Sequence, residues 1–458
     1  MDYICLIGVV LVEYVSLSNI KTLMFSNYDV VVAGGGPSGC TAAAAAAREG
    51  LKILLIEATG ALGGMGTSGM VNAWCPFSDK EKIIYRGLAE WVLMKSKEDI
   101  PHVPESKIDW VPICHEKLKR VYDQLMKDYS VDVLFNTQVA AVQMKDKEYI
   151  DFLITSNKSG LCSYKAKVYI DCTGDGDVAV WAGAQYEKGG LQGELQPATH
   201  CFVLANVDEY AYRTGERLHA NNPDSIIYNI LKTGEFPLIP DAHINNVLLG
   251  PGIVGFNAGH IFNIDNTDPE SVSEGLVKGR ILAEEIRKAL QKYYPRAFAN
   301  AYLVATGALL GIRETRRIIG DYVLTKEDYI ARKNFYDEIG RNSYFIDIHL
   351  SKQETEKLLK EGTYHRKRHF DYDPGESYGI PYRCLTPKGL KNVLVAGRAI
   401  STDRVIFGST RIMPCCLVTG EAAGIAAYET LTMKRIDVHC IDVEVVRDKL
   451  RKYGAYIK

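Results

Sequence analysis

The earliest residues in the chain able to do chemistry are three glycines and an acid. In "DVVVAGGGPSGCTAAAAAAREGLKILLIEA" the glycines fall as Gly34-x-Gly36-x-x-Gly39, and Glu57 closes the next apolar run. Gly34 permits a tight turn, Gly36 lets a pyrophosphate approach the backbone, and Gly39 lets a helix pack closely on a strand. Pro37 and Ser38 then occupy the first helical turn, where free N–H groups and the positive dipole end attract phosphate. Glu57, about twenty residues on, is placed to accept hydrogen bonds from ribose hydroxyls. Strand, glycines, helix and acid together point to a dinucleotide.

The next segment, "GGMGTSGMV" (Gly63 to Val71), favours FAD over NAD. Its glycines, Gly64 and Gly69 among them, and its hydroxyls leave room for a flat ring along the chain. A nicotinamide enzyme would continue into another helix there. No histidine occupies the segment, which points to non-covalent FAD. Proton-transfer candidates are His260 in "GFNAGHIFNID" and His349 in "YFIDIHL", with His365 and His369 behind them in a basic loop. Oxidising an alcohol or amine needs a base beside the carbon that loses hydride. Arg313, in "GIRETRRIIGDYVL", suits substrate carboxylate or hydroxyl oxygens. Read as a strand, that segment turns Arg313 and Thr315 one way and Glu314 and Arg316 the other. Its structural alternative is an ion network tying two layers together.

These residues need elements to hold them. "YDVVVAG" and "KILLIEA" read as buried strands around the helix "CTAAAAAAREG". "DKEKIIYRGLAEWVLMK" and "CHEKLKRVYDQLMKDY" read as amphipathic helices. The stretch from Gln138 to Gly174 alternates like a β-meander and returns to a buried strand, "VYIDCTG". Gln185 to Arg383 mixes strands and helices. "NVLVAGRAISTDRVIFGSTRIMPCCLVTGEAAGIAAYETL" is again strand, loop and helix. The expected domains are 24–184 and 385–435 as two parts of one FAD domain, 185–384 as an inserted substrate domain, and 436–458 as a tail. Residues 1–23 are expected to be a non-native or disordered extension, with Met24 as the start. The apolar Ile4–Leu17 stretch is interrupted by Glu13, too short for a membrane span and a poor signal peptide.

Several stretches carry a family likeness: "VVVAGGGPSGCTAAAAAAREG", "GALGGMGTSGMV", "IDCTGDGDVAVWAGA", "GIRETRRIIGDYVLTKED", "IPYRCLTPKGLKNVLVAGRAIS" and "GSTRIMPCCLVTGEAAGIAA". The chain resembles the FAD-dependent oxidoreductases related to the flavoprotein of heterodisulfide reductase. More distantly it is similar to the fumarate reductase and succinate dehydrogenase flavoproteins. The resemblance implies an α/β fold: a discontinuous Rossmann-like FAD domain of glutathione-reductase type with an inserted mixed α+β substrate domain. It implies that Val139 meets adenine, that Thr173 and Gly174 line the dinucleotide, and that Gly397 and Arg398 sit by the pyrophosphate and ribityl chain. It also implies that Arg411 through Pro414 lie by the isoalloxazine. Many relatives of the broad fold have an acid where Arg398 stands. The cluster-binding cysteines of the heterodisulfide reductase protein are missing.

Pro414 opens the last helix, whose positive end would stabilise negative charge on the ring, with Arg411 adding a full charge. Cys415 and Cys416 share this turn, so lowered thiol pKa values are one expectation and small-hydrophobe packing the other.

The balance of 54 basic and 56 acidic residues, net −2, lacks the field that nucleic-acid binding wants. Eleven cysteines without a CxxC pair argue against a disulfide framework, zinc ribbons and iron–sulfur clusters. The expected setting is cytoplasmic. The expected partners are a small polar substrate and an unspecified electron acceptor, without nucleic acid, metal or membrane; the oligomeric state does not read out. A tRNA-modifying flavoprotein is disfavoured because the chain ends soon after the last FAD helix and its net charge is −2. A non-catalytic nucleotide-binding regulator is disfavoured by the intact Gly34, Gly36, Gly39 and Glu57 set.

Overall fold

The computed structural model describes residues 5–7, 10–12, 21–190, 193–361 and 371–458. Five short runs associate: four are buried along their whole length, while Asp132–Leu134 at one edge is exposed to half-buried. They form a parallel sheet in the order Val393–Val395, Val168–Asp171, Val30–Ala33, Ile53–Ile56, Asp132–Leu134. The sheet is therefore built from both ends of the sequence, and the residues between 171 and 393 leave and return.

One face of the sheet carries helix Pro37–Arg48 beside helix Met413–Thr432. These two run parallel and very close, because small residues meet along the seam. A Cβ on Gly420 would overlap the Ser38 carbonyl, and one on Gly424 would lie 2.8 Å from the Ala45 Cβ. The Thr41 hydroxyl donates to the Leu417 carbonyl at 2.7 Å across the same seam. The other face is covered by the meander Gln138–Met144, Ile150–Asn157, Gly160–Tyr164. Leu23–Phe25 adds to that meander as a parallel strand, and the Thr22 hydroxyl lies 2.6 Å from that of Ser163. A start at Met24 would fall inside this strand.

A second layer holds an antiparallel sheet in the order Ile244–Gly250, Ile253–Ala258, Phe202–Ala205, Tyr302–Thr306. The 25-residue helix Pro269–Tyr293 packs on it around its own apolar core. Among the described residues no helix is long and apolar enough to cross a membrane.

Two local expectations change. Helix "DKEKIIYRGLAEWVLMK" starts only at Leu88 and runs to Lys97. Before it, Lys80 and Gly87 take φ of 72° and 68°, and Asp79 accepts the backbone N–H groups of Glu81 and Lys82 in a turn. In "GIRETRRIIGDYVL" only Arg316–Ile318 is a strand. Its side chains follow their ion partners rather than simple alternation: Glu314 pairs with Arg317 and Arg404, Arg316 with Asp177.

Candidate active site

The carboxyl ends of the parallel strands open into a cavity of about 1540 Å³ that also reaches the second layer. That exceeds the roughly 300–1,000 Å³ of a drug-sized site, leaving room for a dinucleotide and a second small molecule. Gly34, Gly36, Pro37, Ser38, Glu57, Gly64, Val139, Thr173, Gly174, Arg398 and Arg411 all line it.

The dinucleotide end has the features a pyrophosphate needs. Gly34 holds φ at 95°, and a Cβ on Gly36 would meet nothing within 4 Å, so the cradle opens into the cavity there. Helix Pro37–Arg48 has no side-chain cap, leaving its first N–H groups available to a ligand. Glu57 is held by the Gly35 and Thr59 N–H groups, both at 2.7 Å. The last helix also begins without a side-chain cap, at Ile412, with proline in its first turn. Two uncapped helix ends thus serve one cavity.

Arg398 acts differently from a simple phosphate ligand. Its guanidinium donates to the Gly174 carbonyl at 2.9 Å, the Ile312 carbonyl at 2.8 Å and the Asp175 carboxylate at 2.6 Å. It straps the parallel sheet to the second layer while lining the cavity, and Asp175 supplies an acid against it.

Four elements bring a polar chain to the far end. Asp241, fully buried, accepts the His243 N–H at 2.9 Å through Oδ1 and faces His260 Nδ1 at 2.6 Å through Oδ2. His260 Nε2 faces His349 Nδ1 at 2.8 Å. His349 Nε2 lies 3.5 Å from Asp347 Oδ2, and Arg411 donates to the Asp347 carbonyl at 2.7 Å and its carboxylate at 3.2 Å. His260 and His349, distant in sequence, are therefore direct partners, and Arg411 joins the same chain. Arg313 lies beside it. Its Nη1 donates to the Pro197 carbonyl and the Thr199 hydroxyl, each at 2.7 Å, and its Nη2 approaches His243 Nε2 at 3.5 Å and Asn257 Oδ1 at 3.4 Å.

Nitrogens of His243, His260 and His349 all lie within 4.8 Å of one another, close enough to consider a shared cation. Ring orientation argues for protons instead. His243 lies flat on His260, 4.1 Å away at 17°, so their in-plane lone pairs run side by side rather than converging. The facing nitrogens of His260 and His349 are engaged with each other.

Cys416 lines the cavity, whereas Cys415 is fully buried behind it. Burial pushes Cys416 up to about 12 and Cys415 well above the usual thiol range, which outweighs the pull of the helix end and of the Arg398 and Arg411 charges on Cys416. Both are packed thiols here. Gly39, Gly69, Gly397 and Pro414 do not line the cavity. A Cβ on Gly39 would overlap the Gly34 carbonyl, one on Gly69 would lie 2.9 Å from Met65 Cα, and one on Gly397 would overlap the Ser38 hydroxyl. They shape the walls from behind. His365 and His369 lie outside the described residues.

Asp241, His243 and Asp347 have no counterpart among the sequence candidates. A signal existed: Asp241-Ala-His243 and Asp347-Ile-His349 share an Asp-x-His spacing.

Comparison with known proteins bears on this cavity. A family model described as FAD dependent oxidoreductase matches residues 29–450. A 41-residue stretch is 58% identical to dihydrolipoyl dehydrogenase of Trypanosoma brucei brucei, and the chain spans 9% of that protein's length. Among solved structures, the chain is similar to a geranylgeranyl bacteriochlorophyll reductase-like protein of Thermoplasma acidophilum. The match is 14% identical with a TM-score of 0.47 and covers 94% of this chain and 85% of the other. It is also similar to the flavin-dependent brominase Bmp2, at 12% identity and TM-score 0.44 over 93% and 83% of the two chains. It spans 62% of the AlpK structure, at 11% identity and TM-score 0.43 over 88% of this chain. The glycine cradle, the two uncapped helix ends and the cavity's size fit the cofactor that such a family uses. The chain belongs to the FAD-dependent oxidoreductase family, and is an enzyme whose cofactor is FAD.

Proposed function

We propose that this enzyme exchanges a hydride with a small polar substrate while the His349–His260 pair handles the accompanying proton. The observation carrying this reading is the chain Asp241–His260–His349, with contacts of 2.6 and 2.8 Å, inside the cavity that holds the glycine cradle. FAD, when bound, supplies the hydride acceptor or donor at its N5. In the oxidative direction the other product is a proton, and His349 Nε2 is the atom that takes it. His260 acts through His349, and Asp241 fixes the His260 tautomer by accepting from Nδ1–H. Arg313 anchors substrate oxygens with its guanidinium fork. Arg411 and the last helix's N-terminus supply positive charge at their end of the cavity.

The cofactor assignments go with this reading. Gly34, Gly36, Pro37, Ser38 and Glu57 hold the adenosine and pyrophosphate half. Val139, Thr173, Gly174 and Arg398 line its path, and Gly64 and Arg411 flank the ring, with Pro414 behind them in the first turn of the last helix. The domain division at about residues 184 and 385, the glutathione-reductase type and the kinship to the heterodisulfide reductase flavoprotein belong to the same proposal.

The test is anaerobic bleaching of the flavin absorbance with sugars, hydroxy acids, amines and unsaturated acids offered in turn. One class bleaches the wild type, and His349→Ala retains bound FAD but loses bleaching by that class. Wild-type bleaching rates in His349→Ala would remove the assignment.

A further inference from the structure

The chain does not stop at the histidines: it continues through Asp347 to Arg411. Asp347 Oδ2 lies 3.5 Å from His349 Nε2 and 3.2 Å from an Arg411 nitrogen. At the opposite end Asp241 accepts from His260. A histidine pair between two carboxylates has four ring nitrogens. His260 Nδ1 carries a proton for Asp241, the facing nitrogens share one, and His349 Nε2, 3.5 Å from Asp347 Oδ2, is the atom that gains the third when the pair accepts a proton. Three protons on four nitrogens make one positive charge, matched by a carboxylate at each end.

We propose that Asp347 is a positioning residue whose charge stabilises the three-proton form that the histidine pair reaches on accepting a proton, and that it ties the pair's proton content to Arg411. The link to catalysis rests on the function proposed above; the proton count does not. Arg411 opposes the charged pair by drawing on the same carboxylate, and Asp347 favours it. Also facing the pair are His243, stacked on His260, and the Arg313 charge, 3.5 Å from His243 Nε2. Near Asp347 stand Cys75, pushed up to about 12 by burial, and Tyr344, likewise raised well above its ordinary range. Both stay neutral across the working range.

The experiment is a pH titration of histidine-selectively ¹⁵N-labelled protein by NMR, on the full chain, with and without FAD. In the wild type, His260 and His349 titrate together as one unit. Asp347→Asn lowers their midpoint by about one to three units, the range expected for losing a charge at this distance. Arg411→Gln raises it, and Asp347→Glu restores the wild-type curve. Opposite signs from two neighbouring substitutions separate charge coupling from general damage. Curves for Asp347→Asn and Arg411→Gln that superimpose on the wild type, or that move the same way, overturn the proposal. Loss of bleaching in His349→Ala alongside an unchanged Asp347→Asn titration leaves the proposed function standing and removes this inference alone.

Discussion

Asp241→Asn probes the polar chain with the least disturbance. Asparagine keeps an oxygen to accept the His243 N–H, now at 2.9 Å, so the local backbone stays held. Its amide nitrogen would face His260 Nδ1, where a carboxylate stands at 2.6 Å. A ring that must accept at Nδ1 carries its proton on Nε2 and cannot receive one from His349. The magnitude follows from the bond removed. Asp241 is 0% exposed and His260 is 5% exposed, so the contact is a buried, charge-assisted hydrogen bond. Such bonds contribute about 1.5–3 kcal/mol. At about 1.4 kcal/mol per decade, flavin reduction should slow roughly 10- to 150-fold. The assay is anaerobic stopped-flow reduction with the substrate class found by bleaching, with the bound-flavin spectrum as the check that the cofactor site survives. Wild-type reduction rates with a normal flavin spectrum would refute the reasoning.

Gly36→Ala should leave the FAD-free protein within about 0.5 kcal/mol of wild type, because its Cβ meets nothing within 4 Å. It should weaken FAD binding by about one to two decades, read by fluorescence titration. Gly39→Ala should lower the melting temperature, since its Cβ would overlap the Gly34 carbonyl. Cys415→Ser with Cys416→Ser should leave the flavin reduction rate unchanged; a large loss would revive thiol chemistry. His439 should make stability pH-dependent. Burial alone pulls its pKa down, but the Asp321 carboxylate at 2.6 Å outweighs that and leaves it raised. A raised folded value means the contribution is full below the ordinary histidine pKa of about 6.5 and is lost as pH rises through the folded value. The stability gap between wild type and His439→Gln in urea melts should therefore be widest below about pH 6.5 and close as pH rises above it.

What was legible in the sequence was what neighbouring residues decide. Gly34, Gly36 and Gly39 answer steric demands made within one turn, and Glu57 ends the strand next to them. The helical, alanine-rich character of the first and last helices also showed as composition, but their pairing did not. The histidine pair did not, because a contact between residues 260 and 349 depends on how the second layer returns to the sheet. Each histidine alone looked like any other. Arg398 was expected by the pyrophosphate and ribityl chain and does line the cavity. Its partners lie on segments as far apart as Gly174 and Ile312, which sequence spacing cannot reveal. The helix expected from Asp79 was cut back by turn chemistry at Lys80 and Gly87.

The seam between the two parallel helices has a further consequence. Ser38, in the first turn of one, lies against Gly420 of the other, whose helix begins at Met413. Gly420 lies between Ser38 and Thr41 of the first helix, so the last helix projects further by about four to five residues, or about 7 Å at 1.5 Å per residue. The stagger is a ruler. It offers positive ends at two fixed depths, and under the assignments proposed here the shallower meets phosphate and the deeper meets the ring. A cofactor whose ring and phosphate are joined by a spacer of that length satisfies both, and a shorter linker leaves one end unmet. Under those assignments, the axial register of the two helices would favour a flavin over a nicotinamide. Slipping that register by one residue would shift the ruler by 1.5 Å and rotate its tip by about 100°.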